Sequence, residues 1–401
     1  MAITPVRVVE ILSAAFAVCG ISYNLLCIWS GRRFAQNQRV RSNNIAVKQS
    51  QPPVSILKPL RGTDPEMLES LRSHCLLQYP AYEILFAVHD PDDPALSLVE
   101  RLKSEFPERD VRIFVCPHVL GANIKVSNLV QLLPHAKYEY LVVNDSDIRV
   151  APDYLSRVIA PFADNRVGMV TCLYRGVAER TLWSKLESLG ISTDFCLGVL
   201  VANALEGEVR FALGSTLAFR RQELVQVGGF ESLVDYLADD YELGARISQT
   251  GRCVQIADTV VETSLPRYSW REFVAHQLRW ERGIRASRPG GYFGLCLTYV
   301  VPWAILTLLF ARGMWWSWLL LAIALVVRLA AAFTVGVTVL KDPQVQRFWW
   351  LIPIRDCIAL VLWAWAYTGS TVQWRGDRFV LRKGKLIPAA VPAASTCEEN
   401  K

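Results

Sequence analysis

The chain runs to 401 residues, 52% of them hydrophobic and 20% charged, with a formal net charge of +6. That length holds one large domain with residues to spare, and the apolar share exceeds what a purely soluble domain carries, which excludes that class. The modest positive balance suits a domain lying against anionic lipid and gives no reason to expect a nucleic-acid partner.

The apolar excess is concentrated in a few runs. Residues 8 to 30 carry one charge, Glu10, and are long enough to cross a hydrocarbon core of about 30 Å. This run outlasts the apolar core of a signal peptide and no small-residue cleavage site follows it, so it reads as an anchor. Arg32, Arg33, Arg39 and Arg41 follow it, and only Arg7 precedes it. The positive-inside rule therefore puts the next part of the chain in the cytosol. The expectation is an integral membrane protein, of a bacterial inner membrane or, in a eukaryote, a Golgi-type membrane. The ten cysteines show no C-x-x-C spacing and read as small core or membrane-buried residues.

Residues 45 to 285 alternate short strand-like and helix-like pieces. Pro53–Pro59, Tyr82–His89 and Val111–Cys116 read as strands; Asp64–Leu77, Asp93–Phe106 and Asn123–Leu133 read as helices. Alternation of this kind predicts an α/β domain with a doubly wound, mostly parallel sheet. Right-handed crossovers then gather the loops after successive strands, with Lys58, Asp90 and Asp145, at one rim.

The next strand, opening at Tyr140, ends abruptly in Asp145-Ser146-Asp147. In open α/β sheets that edge encloses a ligand crevice. Two carboxylates there can hold Mg²⁺ or Mn²⁺, which in turn clamps a diphosphate, although Asp and Ser also form ordinary turns. The acids Asp90, Asp92 and Asp93 end the second strand and suit either a nucleobase or ribose, or a turn with a helix cap at Asp93. Lys125 and Asn128 open a helix where phosphate or base can bind.

Further along, Leu189–Leu205 suits either an interfacial lipid port or a buried helix of the domain. Phe211–Phe219 reads as a strand broken by Gly214, a place for close approach of a ligand or for a bulge. Asp239 and Asp240 are adjacent carboxylates, and mutual repulsion can raise one pKa until it suits a general base. They equally suit the first turn of a helix, where its dipole stabilises acids. Trp270–Gly283 is a basic aromatic helix of interfacial character.

Three more apolar runs follow, at Tyr292–Phe310, 314–340 and Trp349–Trp374, before a basic tail. The expected organisation is an anchor with its basic flank (1–44), a catalytic domain (45–285), a membrane region of about three helices (286–374) and a partly disordered tail (375–401). If every run crosses, the tail lies opposite the catalytic domain, against the charge rule. Arg355-Asp356 also places an ion pair inside the last run. One C-terminal segment is therefore expected to be re-entrant or interfacial.

Taken together, Lys58-Pro-Leu-Arg-Gly62, Asp90-Pro-Asp-Asp-Pro94, Asp145-Ser-Asp-Ile-Arg149, Ala238-Asp-Asp-Tyr241 and His276-Gln-Leu-Arg-Trp280 resemble the D,D,D,(Q/R)xxRW pattern of processive-type family 2 and ceramide glucosyltransferases. Gly121–Leu129 and Trp374–Arg382 are also similar to ceramide glucosyltransferase, so the likeness covers nearly the whole chain. The Arg279-Trp280 helix followed by Ile284–Pro289 resembles bacterial hopanoid-biosynthesis glycosyltransferases as well.

The resemblance implies a GT-A fold and inverting transfer of a glucose- or N-acetylglucosamine-type sugar from a UDP-sugar to the hydroxyl of a membrane lipid, ceramide or a hopanoid polyol. By position, it sets Asp93 with Asp90 at the uridine and Asp145 with Asp147 at the diphosphate and a divalent cation. Asp240 becomes the general base, and Arg279 and Trp280 line the diphosphate and the acceptor entrance. Lys58, Lys125 and Asn128 fall on the nucleotide-sugar side; Asp239, His276 and Gln277 fall on the acceptor side. Two departures stand out: His276 occupies the first position of (Q/R)xxRW, and Asp147 stands where ceramide glucosyltransferase has glycine. A processive polysaccharide synthase shares these motifs, and a non-catalytic lipid-binding protein could share the fold.

Overall fold

In a computed structural model, described over residues 4–44, 51–374 and 377–389, the central feature is an eight-stranded mixed sheet. The expected domain start at residue 45, Arg375 and the tail from 390 onward lie outside the described residues. The strands are β1 (Val54–Pro59), β2 (Tyr82–Val88), β3 (Val111–Val115), β4 (Tyr140–Val143), β5 (Ile148–Arg149), β6 (Val167–Val177), β7 (Leu217–Arg220) and β8 (Cys253–Ser264), in the order β3-β2-β1-β4-β7-β6-β8-β5. Every residue of β1 is buried, the mark of a strand covered on both faces.

Strand direction decides what meets at the rim. β3, β2, β1 and β4 are mutually parallel, so their carboxyl ends share one edge. β7 runs antiparallel to β4, with Leu217 opposite Val143, which brings the start of β7 to that edge. β6 runs antiparallel to β7 and parallel to β8, so the ends of both arrive there too. Helices α1 (Pro5–Asn44), α2 (Met67–Cys75), α3 (Ala95–Glu105), α4 (Ile124–Leu132), α5 (Tyr154–Ile159), α6 (Leu182–Gly190), α7 (Cys196–Glu206), α8 (Arg221–Gln226), α9 (Asp239–Gln249) and α10 (Trp270–Ser287) complete this part. α10 starts at the rim behind a capping box, with Ser269 accepting from the Glu272 N–H and Glu272 accepting from that of Ser269.

The anchor is longer than its apolar run: α1 spans 40 residues, about 60 Å at 1.5 Å per residue and twice a hydrocarbon core. Its second half stands on the catalytic side, where Gln38 donates to the Asp258 carbonyl at 2.8 Å. Cys27 and Phe34 share one buried core with β1, β2 and α7. The run from Leu182 to Glu206 is apolar enough to span, yet 61% of it is buried, and a π-helical turn at Ile191–Phe195 packs it between the sheet and the membrane helices. Of the described cysteines, six are buried, Cys253 and Cys357 are half-buried, and Cys19 is exposed on the apolar anchor helix.

The C-terminal part contains α11 (Pro289–Gly294), α12 (Val300–Phe310), α13 (Trp315–Ala332), α14 (Pro343–Phe348) and α15 (Ile352–Ala366). Pro289–Phe310 is bent by 55° between Thr298 and Val300, and its far half reaches the start of α1, where Thr307 donates to Ser13 at 3.0 Å. α13 returns: just past it, Leu340 O accepts from Arg175 of β6 at 2.8 Å, and Asp342 accepts from Ser192. Pro343–Ala366 thus begins against the catalytic domain. It also ends there, because Arg285 of α10 donates to Gly369 O at 2.7 Å.

Two expectations are corrected here. The last apolar run, expected to reach Trp374, stops at Ala366; beyond it, β9 (Thr371–Trp374), β10 (Asp377–Arg382) and β11 (Lys385–Pro388) form an antiparallel sheet that takes in the end of that run and the start of the expected tail. Arg355 and Asp356 do not pair with each other, because neighbours on a helix point about 100° apart. Asp356 takes a two-pronged bond from Arg328 of α13, 2.8 Å for each, while Arg355 donates to Gln277 at 2.8 Å.

This route has a direct test. With a membrane-impermeant maleimide, Arg378→Cys and His118→Cys should label from the same face of sealed vesicles and Met314→Cys only from the other; Arg378→Cys labelling together with Met314→Cys would refute the route.

Candidate active site

The rim is built around the turn Asp145-Ser146-Asp147, closed by Ile148 N–H to Asp145 O. Its backbone is held from below. Lys58 donates to Asp145 O at 2.9 Å, Ser70 of α2 to Asp147 O at 3.2 Å, and Ser146 itself donates to Asp64 at 2.6 Å. Anchoring the peptide groups leaves the two carboxylates to point elsewhere. This corrects the expectation for Lys58: its side chain is completely buried and supports the turn instead of reaching a ligand. Burial pulls its amine down to about 7 against the opposing pull of Asp147 and Asp145. Asp147 is pushed up to about 6, by burial and then by Asp145, while a bond from Thr263 of β8 works the other way.

One cation joins this turn to the second acid pair. Lys125 stands on the first turn of α4, whose N-terminus is capped by Asn123 accepting from Val126 N–H. Its ammonium lies 2.9 Å from Asp145 and 3.1 Å from Asp239. Asp239 and Asp240 open α9, in the first turn of a helix, where its dipole stabilises acids. Asp239 is buried and shared between Lys125 and Asn123, which corrects its assignment to the acceptor side. The carboxyl of Asp240 is raised to about 6, first by burial and then by Asp239, with Lys125 opposing.

The expected strand Phe211–Phe219 is only Leu217–Arg220. Ahead of it, Leu213 and Thr216 pair across a tight turn, and Thr171 holds Leu213 N–H at 2.9 Å. The turn presents Gly214 to the acids: a Cβ there would stand 3.0 Å from Asp240 Oδ2 and 3.3 Å from Asp145 Oδ2. The absent side chain leaves the space on which the two carboxylates converge.

Asp93 connects to this centre through a loop. It accepts from Gly62 N–H at 2.9 and 3.0 Å and from Ala95 N–H at 2.8 Å. Gly62 turns back at φ 66°, a conformation favouring glycine, and two residues later Asp64 holds Ser146. Asp90 stays at the exposed turn, accepting from Asp92 N–H.

Asn128 is a correction: it is 1% exposed, on the inward side of α4, and out of a ligand's reach. Gln277 is another, buried between Glu187, to which it donates, and Arg355. His276 lies 3.3 Å from Glu187 and stacks between Tyr268 and Trp280. Trp280 packs edge-on against Phe195 at 5.9 Å, and Arg279 precedes it on α10. Sequence reasoning missed Asp64, Ser70 and Thr263; Thr263 alone had a signal, the alternating pattern of β8.

Among the described residues no three His, Cys, Asp or Glu side chains converge on a metal position. The residues fit a divalent cation nonetheless: Mg²⁺ typically takes one or two carboxylates plus substrate phosphates, not an all-protein cage. Asp145 and Asp147 offer hard oxygen donors of that kind.

Residues 12–387 match the model described as glycosyl transferase family 21. The chain belongs to that family. It is 22% identical over 396 residues to "Ceramide glucosyltransferase 3" of Caenorhabditis elegans, covering 95% of this chain and 83% of the relative. It is 27% identical over 201 residues to "Ceramide glucosyltransferase 1" of the same organism, covering 50% of this chain and 43% of the relative. Among solved structures it is similar to a mannosyltransferase from Pyrobaculum calidifontis in complex with GDP-Man and Mn²⁺, at 20% identity, TM-score 0.52, 89% of this chain and 99% of that one. The fold is of the GT-A type, and the protein is a sugar-transferring enzyme of the ceramide glucosyltransferase-like kind with several membrane helices.

Two substitutions probe the geometry. Gly214→Ala puts a methyl between Asp145 and Asp240 and should lower kcat by ~10²-fold, the cost of misplacing reacting groups by about an ångström, with the melting temperature unchanged. Lys125→Met leaves Asp145 and Asp239 facing each other without their cation. It should destabilise the fold by less than the ~3–5 kcal/mol of a fully buried pair, because the Asp145 side chain is 40% exposed; denaturant titration measures this.

Proposed function

We propose that the protein transfers a single sugar, with inversion, from a UDP-sugar to the hydroxyl of a membrane lipid on the cytosolic face. The observation that carries this reading is the convergence of the Asp240 and Asp145 carboxylates on the open space beside Gly214. Named ceramide glucosyltransferases among the relatives support a lipid acceptor of the ceramide type. Arg32, Arg33 and Arg39 at the inner end of the anchor support the cytosolic orientation.

Asp240 accepts the proton of the lipid hydroxyl while that oxygen attacks the anomeric carbon. The new C–O bond forms on the face opposite the UDP, whose bond to the sugar breaks. Burial and Asp239 hold the Asp240 carboxyl near 6, which lets it be ionised at neutral pH and still take up a proton. Asp93 and Asp90 border the uridine. Lys125, poised beside Asp145, and Arg279 face the diphosphate and meet the charge it gains on departure. A divalent cation, Mg²⁺ or Mn²⁺, held by Asp145 and Asp147, supplies further charge neutralisation at the diphosphate when bound. Trp280 and Phe195 form the apolar side along which the lipid reaches Asp240.

Asp240→Asn should lower transfer by ~10²–10⁴-fold, the usual worth of a general base, while UDP still binds; near-normal turnover would overturn the assignment. With the cation saturating, kcat should rise with pH as Asp240 ionises. Mass spectrometry of lipids glycosylated from defined acceptors identifies the substrate: hexosylated ceramide supports the reading, a glycosylated hopanoid polyol redirects the acceptor, and a polymer ladder overturns single transfer.

A further inference from the structure

The segment from Thr371 to Pro388 has no part in the chemistry above, yet it is tied to both sides of the site. On one side, β11 pairs with the chain just ahead of Asp239 and Asp240. Leu386 N–H donates to Asp235 O at 2.7 Å, Leu237 N–H donates to Gly384 O at 3.1 Å, and Tyr236 faces Lys385 in an antiparallel bridge. The Lys385 ammonium lies 5.3 Å from the centre of the Tyr236 ring.

The stretch 234–236 is in turn bonded to the start of α4, the helix that carries Lys125. Asn123 N–H donates to Val234 O at 2.7 Å, its side chain donates to Tyr236 O at 2.8 Å, and Ala122 N–H donates to Asp235 at 3.1 Å. The sheet's own small core, Val372, Phe379, Leu381 and Leu386, closes over Ala122 and Leu237. On the other side, Arg282 of α10 donates to Thr371 O at the head of β9, and Arg285 donates to Gly369 O. A Cβ on Gly283 would stand 3.5 Å from Leu237, so α10 touches the same loop directly.

We infer that β9, β10 and β11 form a positioning strap for catalysis: by pairing β11 with residues 235–237 and tying β9 to α10, they hold Asp240 and Lys125 in place relative to Arg279 and Trp280. The physical reason is local. Asp240 lies three residues past Leu237, at the first turn of a short helix whose N-cap, Ala238, makes no side-chain cap bond. The path of the chain into α9 is then set by what grips it from outside, and the strap supplies two of those backbone bonds. Because the strap follows α15 directly, the lipid-side helices and the base share one mechanical unit. The strap residues touch no reacting atom. This inference rests on Asp240 as the base.

The test releases the strap and then relocks it. Phe379→Ala with Leu386→Ala in the full-length, detergent-solubilised protein should speed amide exchange at 235–240. It should lower kcat about tenfold or more, the scale expected for a displaced base, with KM for the UDP-sugar within about threefold of the unaltered protein. Tyr236 and Lys385 are a non-hydrogen-bonded antiparallel pair, close enough for a disulfide. Adding Tyr236→Cys with Lys385→Cys to the released variant should restore kcat on oxidation and lose it again on reduction.

Should the double alanine variant fail to fold, Arg282→Ala loosens the other end alone; it should lower kcat with the donor KM kept, and Arg282→Lys should recover part of the loss. Faster exchange at 235–240 with kcat unchanged overturns the strap, and so does a kcat loss that oxidation does not reverse. Asp240→Asn runs alongside: if it stays active the base reading itself falls, whereas an inactive Asp240→Asn beside a fully active released variant overturns the strap alone.

Discussion

The structure depends on one ammonium group placed between two acidic loops. Lys125 lies about 3 Å from both Asp145 and Asp239, carboxylates that arrive from the turn after β4 and from the start of α9. Without a cation there, Asp145, Asp239 and Asp240 would repel one another across a partly buried space, and the loops carrying them would separate. Burial disfavours a charge on Lys125, but the three carboxylates outweigh it and hold the amine protonated. The acids of the rim are thereby held together by one cation.

Around this pair the support is arranged in layers with separate tasks. Beneath the Asp145-Ser146-Asp147 turn, Lys58, Ser70 and Asp64 bind peptide groups and the serine hydroxyl, so the acid side chains are oriented without being consumed. Beside it, the Leu213–Thr216 turn contributes an absence, the missing side chain of Gly214. Toward the membrane, α10 carries Arg279 and Trp280 at its middle, and one side of it is pinned by Gln277 to Glu187 of α6 and Arg355 of α15. Membrane helices and catalytic rim are in this way joined through hydrogen bonds buried from both water and lipid, where breaking one is costly.

Much of this was legible from the chain alone, where the signal is local. Alternation of short apolar strands and helices predicts the parallel half of the sheet because covered strands are mostly apolar, and β1, β2 and β4 are, apart from the buried Ser55, Lys58 and Glu83. The strand ends then bring the acids to one edge. Less legible were the polar residues that turned out to be interior. Lys58 and Asn128 belong to motifs with a nucleotide-sugar look, but an ammonium or amide read from sequence carries no mark of which way it points. Residues 371–374 were read as the end of an apolar run and 377–388 as tail, because strands of four to six residues are too short for periodicity to show and their partners outside the small sheet lie far away in sequence.

The chain by itself determined the fold class, the membrane anchoring and the acids of the site, because each follows from the order of apolar and charged residues along a short stretch. Only the tertiary structure decided which cation answers which carboxylate. Asp356 meets Arg328 and not its neighbour Arg355, Asp239 meets Lys125, and Pro343–Ala366 turns back toward the rim on which it began. Those choices rest on distances of a few ångströms between segments up to a hundred or more residues apart. Coulomb and hydrogen-bond energies fall steeply over such distances, and no local pattern encodes them.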